Sequence, residues 1–124
     1  AAVLECSELE AKNPPEPRSF HSMTIVSRTS SKEGAAEHFA VVCGGLSNSE
    51  RCLGDVCVLD VAALCWSQHR SANFQPRQNH RAVVDTARSA VVVFGGTGAD
   101  AAPVDATTLA LPIDELLPPP GRRE

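Results

Sequence analysis

The sequence predicts an all-β chain built from a duplicated unit of short strands. Two apolar runs, residues 39–43 and 90–94, are rich in Val, and each stops at a Gly-Gly pair. Continuous apolar runs bounded by glycine are typical of short buried strands. Helical patterns are confined to two weak segments, 5–12 and 114–117, and a proline-rich stretch ends the first. An antiparallel β architecture is therefore the expected fold class.

Length, composition and charge restrict the function classes. The chain has 124 residues, enough for one domain, and its 11 Lys plus Arg against 15 Asp plus Glu give a net charge of −4. That balance lacks the broad basic field of a nucleic-acid or membrane-surface binder. The apolar runs are also far shorter than the ~20 residues that span a bilayer. We therefore expect neither a nucleic acid nor a membrane as a partner.

The five cysteines predict a reducing, cytoplasmic compartment, because their number is odd and no C-x-x-C spacing occurs. They are Cys6, Cys43, Cys52, Cys57 and Cys65. Two of them, Cys43 and Cys57, lie inside apolar runs, where a thiol behaves as a small hydrophobic group with a raised pKa. From the sequence we therefore expect no disulfide, no metal site, no cofactor and no catalytic residue.

Four landmarks occur twice in the same order: an arginine, a histidine three residues later, an apolar run ending in Gly-Gly, and an aspartate opening a third strand. The first copy has Arg18, His21, Gly44, Gly45 and Asp55, followed by Trp66, and the second has Arg77, His80, Gly95, Gly96 and Asp105, with Leu116 in the place of the Trp. The arginines and histidines recur after 59 positions and the glycines after 51, because the first copy carries eight more residues between His21 and Phe39. Such a period indicates a repeat architecture.

The repeat predicts strands and boundaries. In the first copy, 17–75, we expect four strands near 22–26, 39–43, 55–60 and 66–69 in one antiparallel sheet. In the second copy, 76–117, we expect strands near 81–84, 90–94 and 105–109 and a fourth around Leu116. The polar stretches 27–38, 46–53, 67–75 and 97–104 are expected to be loops, and 27–38 is an insertion in which 28–33 can be deleted.

The ends of the chain are assigned separately. Residues 1–16 are a lead-in or the end of a preceding unit, and 118–124 form a Pro-rich tail. The chain begins without Met, which suggests a processed chain or a piece of a longer one.

The order of these landmarks resembles the kelch repeat, whose copies are the blades of a β-propeller. The resemblance covers residues 17 to about 116. It implies two four-stranded antiparallel blades, the second degenerate for lack of a Trp. Since a propeller closes with ~4 to 8 blades, two blades form part of an incomplete propeller with open strand edges. The chain would then be a segment of a longer kelch protein, or other chains would complete it.

The repeated residues are expected to be architectural rather than catalytic. The glycines would turn the chain at φ > 0 where no Cβ fits. The repeated Arg and His would form charge-assisted hydrogen bonds with Asp55 and Asp105 that tie the turns together. Trp66 would be a wedge buried against a neighbouring blade.

Apolar residues on several strands predict contacts beyond the chain. A blade presents apolar groups on both faces, so another copy or another chain is expected to cover part of them. The residues expected to need such cover are Val58, Leu59, Trp66 and Leu109.

The resemblance implies a protein-interaction module, a scaffold or an adaptor. In kelch propellers the loops corresponding to 46–53, 67–75 and 97–104 share one face and bind partners; we call these three segments the loop face. Its polar groups, suited to acidic or amide partners, are Asn48, Ser49, Arg51, Arg70, Asn73 and Gln75.

Two alternatives stay open at this stage. The chain could be a non-catalytic segment of a kelch-type isomerase or lyase whose active groups lie on other blades, or a structural subunit of a large assembly. Oxidase chemistry resembling that of galactose oxidase requires a tyrosine-derived radical, and this chain has no Tyr.

Overall fold

A computed structural model describes residues 3–29, 34–104 and 108–119. Within these residues the chain forms short strands, one 3₁₀ turn and one helical turn. The elements are β1 (Arg18–Ser19), β2 (Ser22–Thr29), β3 (Ala36–Cys43), β4 (Leu46–Ser47), β5 (Asp55–Asp60), β6 (Cys65–Arg70), β7 (Arg81–Asp85), β8 (Ala90–Phe94), the 3₁₀ turn Ala99–Ala101, β9 (Leu109–Pro112) and α1 (Ile113–Leu116). Paired strands are antiparallel throughout, so the all-β prediction is confirmed.

The first copy forms a four-stranded sheet in which consecutive strands are neighbours, in the order β2-β3-β5-β6. These strands contain the four segments expected from the sequence. Val41 lies at the centre, opposite Thr24 on one side and Val58 on the other. The central strands β3 and β5 are almost wholly buried, whereas β2 alternates between buried and exposed residues. We call this sheet, with its connecting turns, unit 1.

Half of the insertion predicted as a loop at 27–38 is a strand pair, because β2 extends to Thr29 and β3 begins at Ala36. Ser27 lies opposite His38, and Thr29 lies opposite Ala36. The Arg28 guanidinium contacts the Glu37 carboxylate at 3.0 Å and donates to the carbonyl oxygen of Pro118. The deletion of 28–33 expected to be tolerated would remove these Arg28 bonds between β2 and the C-terminal segment, while residues 30–33 lie outside the described residues.

The second copy forms a three-stranded sheet, β7-β8-β9, which we call unit 2. Its third strand spans Leu109–Pro112, and residues 105–107 of the predicted strand 105–109 lie outside the described residues. The predicted fourth strand is wrong, because Leu116 lies in α1 and is buried with Leu117 between the two sheets. Burial of these two leucines stabilises the helical turn over a fourth strand at this position. Prolines 118 and 119 also lack the N–H groups that pairing with a neighbouring strand requires.

The two sheets stack face to face and approach each other most closely along β2 and β7. The apolar cluster between them includes Phe39, Val41 and Val58 from unit 1 and Val91 and Val93 from unit 2. Farther from β2 and β7, α1 lies between β6 and β9, and Leu116 lines the space beside both strands. The sheets therefore diverge like the sides of a wedge.

The expectation that another chain must cover Val58 and Leu109 is wrong. Both pack in the apolar cluster between the sheets, so units 1 and 2 cover each other there. Trp66 lies opposite Leu59, and strand alternation places this pair on the face of unit 1 turned away from unit 2. Trp66 is half-buried within the chain, so its burial as a wedge against a neighbouring blade stays a prediction.

The segment before β1 contains no helix among residues 3–17, so the weak helical prediction at 5–12 is wrong. Lys12 instead pairs with the edge of β6. Its amide donates to the carbonyl oxygen of Leu64 at 2.8 Å, and its carbonyl oxygen accepts from the amide of Trp66 at 2.9 Å. These bonds occupy part of an edge that would otherwise expose unpaired backbone groups.

Candidate functional site

The same arginine-centred turn precedes the first long strand of each unit. Each guanidinium Nε donates to the carbonyl oxygen two residues before it, at 3.3 Å for Arg18 and 3.2 Å for Arg77. Each Nη1 donates to the first glycine of its own unit, at 3.0 Å for Gly44 and 3.2 Å for Gly95. The duplication seen in the sequence therefore extends to individual hydrogen bonds.

The second glycine of each pair lies against the turn that carries the histidine. Gly45 has φ of +107° and Gly96 has φ of +90°, a region that favours glycine. A Cβ on Gly45 would lie 2.7 Å from the carbonyl oxygen of Ser19, and one on Gly96 would lie even closer to that of Gln78. Both glycines are therefore required by conformation and by space.

Arg18 and Asp55 form a buried, two-bonded ion pair. The two guanidinium nitrogens donate to the two carboxylate oxygens at 2.6 and 3.0 Å, and Gln68 donates to the same carboxylate at 2.6 Å. Burial alone would raise the pKa of Asp55, but these hydrogen bonds and the charge of Arg18 lower it to about 2. The pair joins β1 to β5, so its chemistry is structural.

Unit 2 differs at the corresponding position. Asp105, expected to match Asp55, lies outside the described residues. Leu109 lies opposite Val93 in unit 2, as Cys57 lies opposite Val42 in unit 1. Leu109 therefore corresponds to Cys57 in the strand register. Arg77 is buried, and its guanidinium stacks 5.5 Å from the ring centre of Phe74. Sequence reasoning missed Phe74, whose signal was an aromatic residue within a polar stretch.

The two histidines have different surroundings, and in the described residues neither bonds to Asp55 as expected. His80 is 1% exposed, and its Nε2 shares a 2.8 Å hydrogen bond with the hydroxyl of Ser22 in unit 1. Burial, together with the charge of Arg77, lowers the pKa of His80 to about 4, so its ring is neutral at pH 7. His21 is exposed. His80 is on the side of unit 2 that packs against unit 1, whereas the corresponding side of unit 1, which carries His21, is turned away from unit 2.

A depression of about 390 Å³ lies on the loop face. Arg51, Arg70, Phe74 and Pro76 are among its lining residues, with Asp55 beneath them. Arg70 is the last residue of β6, so the loop predicted at 67–75 begins only at residue 71. Since Asp55 is already bonded to Arg18 and Gln68, the exposed arginines supply the accessible charge at this site.

Arg51 has a partner within the chain that sequence reasoning missed. Its Nη2 donates to the carboxylate of Glu16 at 2.6 Å, and both side chains are largely exposed. An exposed pair of this kind is worth little, about 0–1 kcal/mol, and either group can exchange it for an external one. Glu16 therefore competes with an external partner for the Arg51 guanidinium but leaves that side chain exposed.

The other loop-face residues lie on exposed turns. Asn48 and Ser49 occupy the turn after β4, where the Ser49 hydroxyl lies 3.0 Å from that of Ser47. Asn73 and Gln75 are exposed in the connection between β6 and β7. The loop predicted at 46–53 is shorter than expected, because β4 pairs with β1 at its start.

The third loop joins the other two. The amides and carbonyls of Thr97 and Gln78 bond each other reciprocally at 2.8 and 2.9 Å, which holds 97–104 beside the β6–β7 connection. Pro76 lies close to both Gly54 and Gly98. The three loops therefore adjoin at one end of the stacked sheets.

The buried thiols are not nucleophiles. Burial raises the pKa of Cys43 to about 12 and that of Cys57 to about 11, so both are protonated at neutral pH. Burial also raises the pKa of Cys52. Over residues 3–29, 34–104 and 108–119, no three His, Cys, Asp or Glu side chains are grouped to hold a metal ion. No helix in that part of the chain is long and apolar enough to cross a membrane.

No family model matches the chain, and no curated protein matches it significantly.

Proposed function

We propose that the chain is a protein-interaction module of kelch propeller type, a scaffold or adaptor that binds a partner protein through its loop face. The observation that carries this proposal is the duplicated turn, in which arginine, glycine pair and strand register repeat from unit 1 to unit 2. A stacked pair of sheets with such repeats is the form that blades of a propeller take.

The chemistry of the loop face favours an acidic or amide-bearing peptide segment as the partner. Arg51 and Arg70 line one depression, and a guanidinium is suited to bind a carboxylate or an amide oxygen with two hydrogen bonds. The ring of Phe74, buried in the apolar cluster and stacked against the Arg77 guanidinium, supports the wall of the same depression. The buried groups beneath, Asp55 and Arg18, satisfy each other and hold the floor of the depression in place.

The test uses a library of random peptides selected on the immobilised chain. We expect the selected peptides to be enriched in Asp, Glu, Asn and Gln, and to lose at least tenfold in affinity for Arg51→Ala. The matched control is Arg88→Ala. Arg88 is another exposed arginine paired with a carboxylate, that of Asp85, but it lies in the β7–β8 turn at the opposite end of the sheets.

Two results would count against the proposal. One is a selection that enriches no acidic or amide-bearing peptide. The other is a set of peptides that bind Arg51→Ala as well as they bind the unaltered chain. Melting temperatures of both variants should match that of the unaltered chain, because exposed ion pairs contribute little stability.

A further inference from the structure

The interface between the two units is directional, because each unit contributes a different face to it. Unit 2 contributes the face of β7 that carries Ala82 and Val84, which pack against the central apolar cluster. Unit 1 contributes the opposite face of its own first strand, where Val26 belongs to that cluster. The hydrogen bond from the Asn79 amide to the Phe20 carbonyl, 2.9 Å, joins the turns before these strands.

Strand register shows which residues of the two units correspond. Ser22 lies opposite Cys43 at the start of one hairpin, as Arg81 lies opposite Phe94 at the start of the other. By this register Met23 corresponds to Ala82, and Ile25 corresponds to Val84. Unit 1 therefore has a face that corresponds to the docking face of unit 2, and in the part of the chain that the structure describes no unit covers it.

We call this uncovered surface the leading face. Its apolar residues are Met23, Ile25, Leu59 and Trp66. Met23 is 57% exposed and Ile25 is 50% exposed on β2, while Leu59 and Trp66, on β5 and β6 beyond Ala40 of β3, are half-buried. Exposed apolar side chains grouped on one sheet face mark a surface that another molecule covers.

The face of unit 2 that is turned away from unit 1 is exposed at Val83, and it corresponds to the face of unit 1 that packs against unit 2. Thr24 and Val41, on the side of unit 1 that faces unit 2, correspond to Val83 and Val92. Val83 is 49% exposed and borders a depression of about 660 Å³. We call this surface the trailing face, and its apolar residues are Val83, Val92, Phe94 and Ala110.

We propose that a second copy of this chain occupies these surfaces, with the leading face of one copy docked on the trailing face of the next. The reason is that corresponding faces already meet inside the chain, between unit 1 and unit 2, with an apolar cluster and backbone hydrogen bonds. In the intermolecular contact the Phe20 amide of one copy would take the role of the Asn79 amide. Likewise His21 would accept a hydrogen bond from Arg81, which corresponds to Ser22.

A head-to-tail contact of this kind either closes into a ring or continues as an open chain. Sheets stacked as wedges close after about four to eight units, so a ring would hold about two to four copies. The inference rests on the proposed function only in treating the units as neighbouring blades. The leading and trailing faces lie on the flat sides of the sheets, not on the loop face.

The experiment combines two blocking variants and measures mass in solution by light scattering. Ile25→Asp places a charge on the leading face, and Val83→Asp places one on the trailing face. Both side chains are exposed, so each variant should keep the circular dichroism spectrum of the unaltered chain. Should either variant fail to fold, Ile25→Thr and Val83→Thr, which alter shape less, replace them.

The unaltered chain should form an oligomer, and each variant alone should be monomeric. A mixture of the two variants should form a dimer and nothing larger, because one intact leading face and one intact trailing face remain. Val61→Asp is the control, since Val61 is exposed in the β5–β6 turn, outside the strands that carry both faces, and should leave the oligomer intact.

Three outcomes would overturn the inference. They are an unaltered chain that stays monomeric up to roughly 1 mM, a mixture of variants that remains monomeric, and an oligomer that only one of the two variants disrupts, which indicates a symmetric contact. The peptide selection is independent of this result. Peptide binding that persists in a monomeric chain would remove this inference and keep the proposed function, and the reverse result would do the opposite.

Discussion

The imidazole of His80 and the hydroxyl of Ser22, 58 positions apart in sequence, share a 2.8 Å hydrogen bond in the contact between the two units. The bond is buried, and a Cβ on Gly44 of unit 1 would lie 2.9 Å from the edge of the same ring. His80 is thus part of unit 2 in sequence, but its ring contacts Ser22 and the backbone at Gly44 of unit 1. Its protonation state is consequently linked to how firmly the units are joined.

Stability should fall with acidification below pH 6.5. The folded-state pKa of His80 is about 4, below the 6.5 of a free histidine, so the unfolded chain binds this proton more readily. The stabilisation is complete above about pH 6.5 and is lost as the pH falls through 4, in total on the order of 3 kcal/mol. Arg77, His21 and Arg81 all disfavour the charged ring.

Urea denaturation at half-unit steps from pH 7.5 to 4 measures this loss. In His80→Gln the slope over this window should be much smaller, although the variant is less stable at pH 7. His38→Gln, at an exposed position on β3, should keep the slope of the unaltered chain. Parallel slopes in the unaltered chain and His80→Gln would mean that another group causes the acid sensitivity.

The paired glycines of unit 2 separate backbone strain from steric exclusion. Gly95 and Gly96 both have positive φ, but a Cβ on Gly95 meets nothing within 4 Å, whereas one on Gly96 meets the carbonyl of Gln78. Gly95→Ala should therefore cost only the conformational strain, about 1–2 kcal/mol. Gly96→Ala should cost clearly more, because the backbone of Gln78 must move.

Thermal denaturation of the two alanine variants decides the point. Each kcal/mol shifts the melting temperature by roughly 2–8 °C for domains of this size class. Equal melting temperatures for Gly95→Ala and Gly96→Ala would show that the turn at Gln78 yields freely. That result would also weaken the claim that the turn is a rigid, repeated feature.

Sequence reasoning succeeded where the signal was local. An apolar run stopped by Gly-Gly specifies both a buried strand and the backbone freedom needed at its end, and β3 and β8 end in this way. Strand identity in unit 1 followed from the same patterns. These features depend on residues close together in the chain, so their spacing carries the information.

The contacts of His80 and the path of the C-terminal segment were not predictable in the same way. A repeat shows that His21 and His80 correspond but not on which side of each unit its neighbour lies. Likewise Leu116 occupies the sequence position of Trp66, yet the space between diverging sheets favours its burial in α1. Such outcomes depend on packing between distant segments, which spacing does not encode.

Arg28 should contribute to stability although it lies in the predicted insertion. Its guanidinium contacts Glu37, lies 5.1 Å from the ring centre of Phe39 and donates to Pro118. Arg28→Ala should lower the free energy of unfolding by about 2 kcal/mol, since charge-assisted hydrogen bonds and packing are lost together. Arg28→Lys should recover little, because an ammonium lacks the planar fork.

Urea denaturation measures both variants, and hydrogen exchange at the Leu117 amide, which bonds to the carbonyl of Ile113, reports on the C-terminal segment. Exchange there should accelerate in Arg28→Ala. Arg70→Ala, which removes an exposed arginine from β6, is the control and should leave both readouts unchanged. Stability of Arg28→Ala equal to that of the control would mean that the C-terminal segment is held by its leucines alone.

The buried pair Arg18–Asp55 and the exposed pair Arg88–Asp85 allow a direct comparison of two ion pairs in one chain. The side chains of Arg18 and Asp55 are 4% and 3% exposed, against 75% and 21% for Arg88 and Asp85. Asp55→Asn leaves the Arg18 cation buried without its countercharge, which should cost about 3–5 kcal/mol. Asp85→Asn should change the unfolding free energy only slightly.

The free energy of unfolding measured below pH 4 tests the same ion pair independently. Because the pKa of Asp55 is about 2 when folded and near 4 when unfolded, its stabilisation is present above pH 4 and lost as the pH falls through 2. Asp55→Asn should lack this loss. If breaking the pair is costly because it strands a charge, the double variant Arg18→Met, Asp55→Leu should be more stable than Asp55→Asn. A double variant less stable than Asp55→Asn would instead show that the hydrogen bonds from Arg18 to Gly44 and Glu16 hold the turn together.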